Sequence, residues 1–111
     1  DGDGGNDLLI GGRGNDVIYG GDGNDLIIGG SGQNRVWGQR GMDTFFIEGG
    51  TGYTIIKDFS DGEDRIQLGA GGSDLKLRTR GDDVLLYQRS NLIAIVESAA
   101  GDLQHNGEYL I

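Results

Sequence analysis

Aspartate recurs at Asp7, Asp16, Asp25 and Asp43, and Asn34 stands at the remaining step of the same nine-residue spacing. Glycines lie just ahead of each of these residues, at Gly4, Gly5, Gly12, Gly14, Gly21, Gly23, Gly30, Gly32 and Gly41. Glycine accepts positive φ without a Cβ clash, so such turns can aim several backbone carbonyls at one point. A carboxylate among carbonyls is an all-oxygen, hard donor set. Ca²⁺ takes six to eight such oxygens in flexible geometry, whereas Mg²⁺ demands a tighter octahedron and gives up its waters reluctantly. The pattern therefore implies repeated calcium sites.

Other chemistry finds less support. The chain has no Cys, which excludes disulfides and thiolate metal sites. Its single histidine, His105, lies in a polar terminal stretch, and no H-E-x-x-H occurs. No serine sits in a G-x-S-x-G elbow. No G-K-[ST] follows the glycine-rich turns, and a carboxylate at position six would repel phosphate. Asp1-Gly-Asp3 resembles the start of an EF-hand loop, but position twelve is Gly12 rather than Glu. Asp58, Asp61, Glu63 and Asp64 form an acidic cluster, read as a solvated or calcium-linked turn rather than an acid–base pair. The chain is expected not to be an enzyme.

The elements that position the carboxylates are five copies of one unit, G-G-x-G-x-D-x-U-x, where U is large and apolar. They are Gly2–Ile10, Gly11–Tyr19, Gly20–Ile28, Gly29–Trp37 and Gly38–Phe46. Each divides into a six-residue turn and a three-residue strand. Strand side chains alternate, so Leu9, Ile18, Ile27, Val36 and Phe45 should stack as an inner apolar ladder. A short strict period means a solenoid, whose units are stable only when stacked. Two units then form one coil. Asp7, Asp25 and Asp43 fall in one row, and Asp16 and Asn34 in the other. Three ions are expected, at Asp7/Asp25, Asp25/Asp43 and the weaker Asp16/Asn34. The odd outer face, with Leu8, Ile10, Leu26, Ile28, Thr44 and Phe46, is too apolar to stand bare and calls for a cover. On the even face, Tyr19, Arg35 and Trp37 form a mixed patch that offers stacking to a polysaccharide, the alternative role as an adhesin or glycan-binding module.

The net charge of −9 makes nucleic acid and anionic membrane surfaces poor partners. No run of apolar residues is long enough to span a membrane as a helix. No signal peptide is visible, and Asp1 sits at the ninth position of a preceding unit, so a longer array is expected upstream.

The repeats resemble those of the RTX (repeats-in-toxin), or hemolysin-type, calcium-binding family. The likeness continues through Asp43-Thr-Phe-Phe, Ile56-Lys-Asp-Phe and Gly62-Glu-Asp-Arg-Ile-Gln-Leu68. It implies an all-β fold: a right-handed parallel β-roll followed by a short-stranded, mostly antiparallel cap. It also implies carbonyl ligands from Gly4, Gly12, Gly14, Gly20, Gly21, Gly23, Gly29 and Gly38, with Asp3, Asp22, Ser31 and Arg40. Asp64 matches a cap ligand in some relatives, though its usual partner acids are missing. Gly49-Gly-Thr-Gly-Tyr-Thr54 resembles a sixth turn with Thr54 where relatives often carry Asp. The terminal Glu108-Tyr-Leu-Ile111 resembles the signal read by a type I secretion exporter.

Residues 1–46 are thus expected to be the calcium roll and 47–111 the cap with a secretion signal. Short strands are expected at Tyr53–Lys57, Arg65–Leu68, Leu75–Thr79, Val84–Gln88 and Leu92–Val96, separated by turn residues. Residues 99–107 read as a short helix or loop. The expected role is a module of a secreted bacterial protein. It stays unfolded at low cytosolic calcium, passes the exporter, folds on Ca²⁺ outside and supports an upstream domain of the same chain.

Overall fold

The computed structural model describes residues 4–47, 52–59, 63–69, 75–88, 91–97, 105–106 and 109–110. Its strands are β1 (Leu8–Ile10), β2 (Val17–Tyr19), β3 (Leu26–Ile28), β4 (Gly32–Trp37), β5 (Thr44–Ile47), β6 (Gly52–Ile56), β7 (Arg65–Leu68), β8 (Leu75–Arg80), β9 (Asp83–Gln88), β10 (Asn91–Val96), β11 (His105–Asn106) and β12 (Tyr109–Leu110). The described residues hold no helix, and so none long and apolar enough to cross a membrane.

Odd and even strands separate into two sheets, in the orders β1-β3-β5-β7-β12-β11 and β2-β4-β6-β10-β9-β8. The repeat period causes this. A glycine-rich turn after every three-residue strand reverses the chain, so each strand meets the one two units later. Leu9 pairs with Ile27, Ile27 with Phe45, and Ile18 with Val36, all in parallel register. The inward residues Ile18, Ile27, Val36 and Phe45 are buried and join Ile56, Ile66, Leu68, Leu86 and Val96 in one core. Leu9, in the outermost coil, packs against that core but is only partly buried.

Parallel stacking does not end with the fifth unit at residue 46. β6 pairs parallel with β4, placing Thr54 beside Asn34, and β7 pairs parallel with β5. The loss of the acid at Thr54 therefore changes the chemistry of the row without breaking the coil. The sheet turns antiparallel only afterwards. β10 lies parallel to β6 but antiparallel to β9, and β8 and β9 form a hairpin around Gly81, which has φ +64°. A two-residue turn with positive φ matches the twist of the flanking strands. The other sheet closes similarly, with β12 antiparallel to β7 and β11 antiparallel to β12. Strand β11 replaces the helix or loop expected at its position. Glu108 and Ile111 of the terminal motif, and the acid Asp61, lie outside the described residues.

The cover expected over the odd outer face is absent at its start. Leu8 and Ile10 are 60% and 63% exposed, because the cap strands extend the sheet edgewise rather than lying across it.

Successive coils approach so closely that glycine is obligatory at particular points. A Cβ on Gly41 (φ +103°) would run into the carbonyl oxygen of Gly23, and one on Gly32 (φ +91°) into that of Gly14. Gly12 also has positive φ (+83°), but a Cβ there would meet open space. Gly41→Ala is expected to cost about 3 kcal/mol, the sum of left-handed backbone strain and overpacking against a backbone atom that cannot yield. Gly12→Ala should cost only the strain, about 1 kcal/mol. Paired thermal melts in saturating calcium check the difference.

Candidate metal centre

Position six stands at the end of its turn, and from the third unit onward its side chain reaches back to the backbone of the preceding coil. The side chains form two rows. In the odd row, the backbone N–H of Asp7 donates to Asp25 Oδ1, that of Asp25 to Asp43 Oδ1, and that of Asp43 to Asp64 Oδ1, each at 2.9 Å. In the even row, the N–H of Asp16 donates to Asn34 Oδ1 at 2.9 Å. One oxygen of each stacked residue thus fastens the coil above.

The second carboxylate oxygen has nothing to bind. Among the described residues, the buried side-chain polar atoms without a hydrogen-bond partner are Asp7 Oδ2, Asp16 Oδ2, Asp25 Oδ2 and Asp43 Oδ2. All four belong to position six. A buried anionic oxygen left unpaired is costly unless a cation compensates it. The space beside these atoms is walled by oxygen. A Cβ on Gly20 would come 2.7 Å from Asp25 Oδ2 and 2.7 Å from the Gly38 carbonyl oxygen. A Cβ on Gly11 would come 2.6 Å from the Gly29 carbonyl oxygen and 2.8 Å from Asp16 Oδ2. Because Gly11 and Gly20 lack a side chain, these cradles stay open. No three acidic or imidazole side chains converge on a metal position among the described residues, and the oxygens bordering the Gly11 and Gly20 cradles are one carboxylate and one backbone carbonyl each. That donor set fits a hard ion of high coordination number.

Electrostatics point the same way. Burial pushes the Asp43 carboxyl up from 3.8 to about 7, with the charges of Asp64, Asp25 and Asp58 adding to it. Burial also raises Asp25, helped by the charge of Asp7. A raised value in the folded state means that the metal-free fold holds protons that the unfolded chain releases. Its stability is therefore greatest in acid and is lost as pH rises through about 7. Calcium-free protein is expected to show more residual β-sheet circular dichroism near pH 5 than near pH 8. Calcium affinity should move oppositely, weakening as protons compete below about 7. Calcium titrations across that window check the sign.

The structure brings the predicted acids into rows, and the predicted carbonyls take several surroundings. The Gly12 carbonyl accepts the N–H of Ser31 at 3.1 Å. The carbonyls of Gly14 and Gly23 abut Gly32 and Gly41. The carbonyls of Gly29 and Gly38 border the Asp16 and Asp25 cradles. Gly4, Asp22 and Arg40 are exposed on the turns, Gly21 and Ser31 are half-buried, and Asp3 lies outside the described residues. On the even face Tyr19 and Trp37 stack with centroids 4.7 Å apart and planes 16° apart, so each ring spends one face on the other. Arg35 beside them is exposed.

Two structural roles escaped the sequence reading. Asn6, Asn15 and Asn24, at position five, accept the N–H of Asn24, Gln33 and Met42 at 2.8, 2.9 and 2.8 Å. Their signal was the thrice-repeated Gly-Asn-Asp. Asp58 clamps the fifth turn, accepting the N–H of Gly38 and of Gln39 at 2.8 Å each and holding Gln39 at φ +67°. No repeat marks it.

A family model of the RTX calcium-binding nonapeptide repeat, in four copies, matches residues 1–36 and again residues 19–53. The repeat segment belongs to the RTX calcium-binding family. The coils described above are built from that calcium-binding repeat. The chain is also similar to the solution structure of the AlgE6R3 subunit of the mannuronan C5-epimerase from Azotobacter vinelandii. The two share 26% identity over 97% of this chain and 86% of that one, with a TM-score of 0.58. The likeness thus extends beyond the RTX segment into the antiparallel end. No curated protein matches the chain.

Proposed function

We propose that this chain is a non-enzymatic folding module that becomes ordered when Ca²⁺ fills its turn rows outside the cell, and that it supports the export and stability of an upstream domain. The observation that carries this reading is the set of four buried, unpartnered Oδ2 atoms at Asp7, Asp16, Asp25 and Asp43. Calcium supplies the positive charge that these oxygens lack. The protein's own part is to hold the carboxylates in register through Oδ1 and to keep the cradles open with Gly11, Gly20 and Gly38.

Asp64 raises the expected number of ions. The sequence alone suggests three, but the Asp43/Asp64 rung repeats the geometry of the two rungs before it. Four ions follow, one for each unpartnered oxygen. The acidic row explains why the module would remain unfolded during export at low calcium, since like charges oppose closing the coil. Membership of the RTX family and the likeness to a subunit of a bacterial enzyme support secretion, with a type I exporter and an upstream domain as partners. Equilibrium dialysis tests the metal reading. About four Ca²⁺ per chain are expected at millimolar calcium, and a chain that stays metal-free there overturns it.

A further inference from the structure

Asn34 occupies the place of an aspartate, yet it leaves no unpartnered atom. Its Oδ1 accepts the N–H of Asp16 at 2.9 Å. A backbone N–H can only donate, so oxygen must face Asp16 and the amide nitrogen must face the other way. There Nδ2 donates to the carbonyls of Gly30 at 3.3 Å and Ser31 at 3.4 Å, both in its own turn. These bonds are long, but the site is closed: Asn34 is 0% exposed. In the aspartate turns the corresponding atom is an anionic Oδ2 with no partner.

The cradle differs as well. Beside Gly11 and Gly20 the open space is bordered by a carboxylate oxygen and a carbonyl oxygen. Beside Gly29 it is bordered by Asn34 Nδ2 and Thr54 Oγ1, 2.9 and 2.8 Å from where a Cβ would stand. An N–H₂ group carries positive charge on its hydrogens. It meets the carbonyls as a cation would, and it would repel a cation placed there.

We propose that the Asn34 carboxamide takes the place of the ion in its turn, so that this turn closes without calcium and Asn34 is not a metal ligand. The even row then runs from a metal-binding acid at Asp16 to an amide at Asn34 and a hydroxyl at Thr54. The odd row is acidic throughout, at Asp7, Asp25, Asp43 and Asp64. Calcium therefore loads the two walls of the roll unequally. The turn that closes without an ion lies in the sheet that carries the β8–β9–β10 hairpin. The inference rests on the calcium reading above.

Equilibrium dialysis with ⁴⁵Ca²⁺ at saturating calcium, on the wild-type chain, Asn34→Asp and Asn34→Ala, separates the two ideas. Asn34→Asp restores an unpartnered oxygen and is expected to bind one ion more than wild type. Asn34→Ala is expected to bind the same number as wild type while melting at lower temperature, because Gly30 and Ser31 lose their donor. An unchanged count in folded Asn34→Asp overturns the proposal, as does a count one lower in Asn34→Ala, which would make Asn34 a ligand. If Asn34→Asp fails to fold, the alanine count alone decides. A wild-type chain that binds no calcium would instead sink the metal reading itself.

Discussion

EGTA at neutral pH is expected to abolish most of the β-sheet circular dichroism of this chain, and calcium to restore it. Without the ion, Asp7, Asp25, Asp43 and Asp64 stand one above another in a largely buried row, joined Oδ1 to N–H. Four Oδ2 atoms are then buried with no partner. The glycine-rich turns also surrender much backbone freedom on ordering. An ion present at 100 times its Kd adds about 2.7 kcal/mol, so four add about 11 kcal/mol. That is comparable to the whole stability of a domain. Removing it should leave the roll unfolded, while the apolar ladder alone is too narrow to hold the stack. A spectrum unchanged by EGTA would show that the core suffices and that calcium has no structural role.

Asp25→Ala is expected to be the most damaging single substitution in the rows. Asp25 is 2% exposed. Its Oδ1 fastens Asp7, its N–H is fastened by Asp43, and its Oδ2 faces the Gly20 cradle. Alanine removes one rung and weakens the calcium sites above and below it. A loss of about 3–5 kcal/mol in saturating calcium follows, from up to two ions at about 2.7 kcal/mol each with some retained binding. Asp7→Ala touches one end of the row and removes no rung to an earlier described coil, so its cost should be about half as large. Calcium-dependent melting of both variants measures the gap. Equal losses would mean that the stacking register is wrong.

The architecture of residues 4–46 was readable because one spacing sets both the apolar ladder and the acid rows. Ile18, Ile27, Val36 and Phe45 could be placed inside, and Asp7 above Asp25, by counting. Counting failed where the coil lengthened. Asp43 is fastened by Asp64, 21 residues away rather than 18, so the fourth carboxylate of the row was out of step with the repeat. The clamp made by Asp58 was unreadable for a related reason, since a hold on another turn's backbone has no local pattern. The short strands of the cap were visible from the turn residues that separate them, but not that β10 would lie parallel to β6. That pairing joins residues about 40 apart, and only the sheet order reveals it. The role of Asn34 was hidden most deeply. Its composition says only that a charge is missing, and the direction of its amide nitrogen says what replaced it.

The ties between the first coils span 18 residues, whether they run through Asp25, Asn34, Asn6, Asn15 or Asn24. Two repeats, and not one, are therefore the smallest length that can be gained or lost without disturbance. Excising 18 residues would remove one storey and leave every remaining carboxylate on its own wall. Excising nine would carry Asp43 and Asp64 across to the wall of Asp16 and exchange the partners of each later strand. Arrays of this kind can change height in whole storeys, while half a storey scrambles the building.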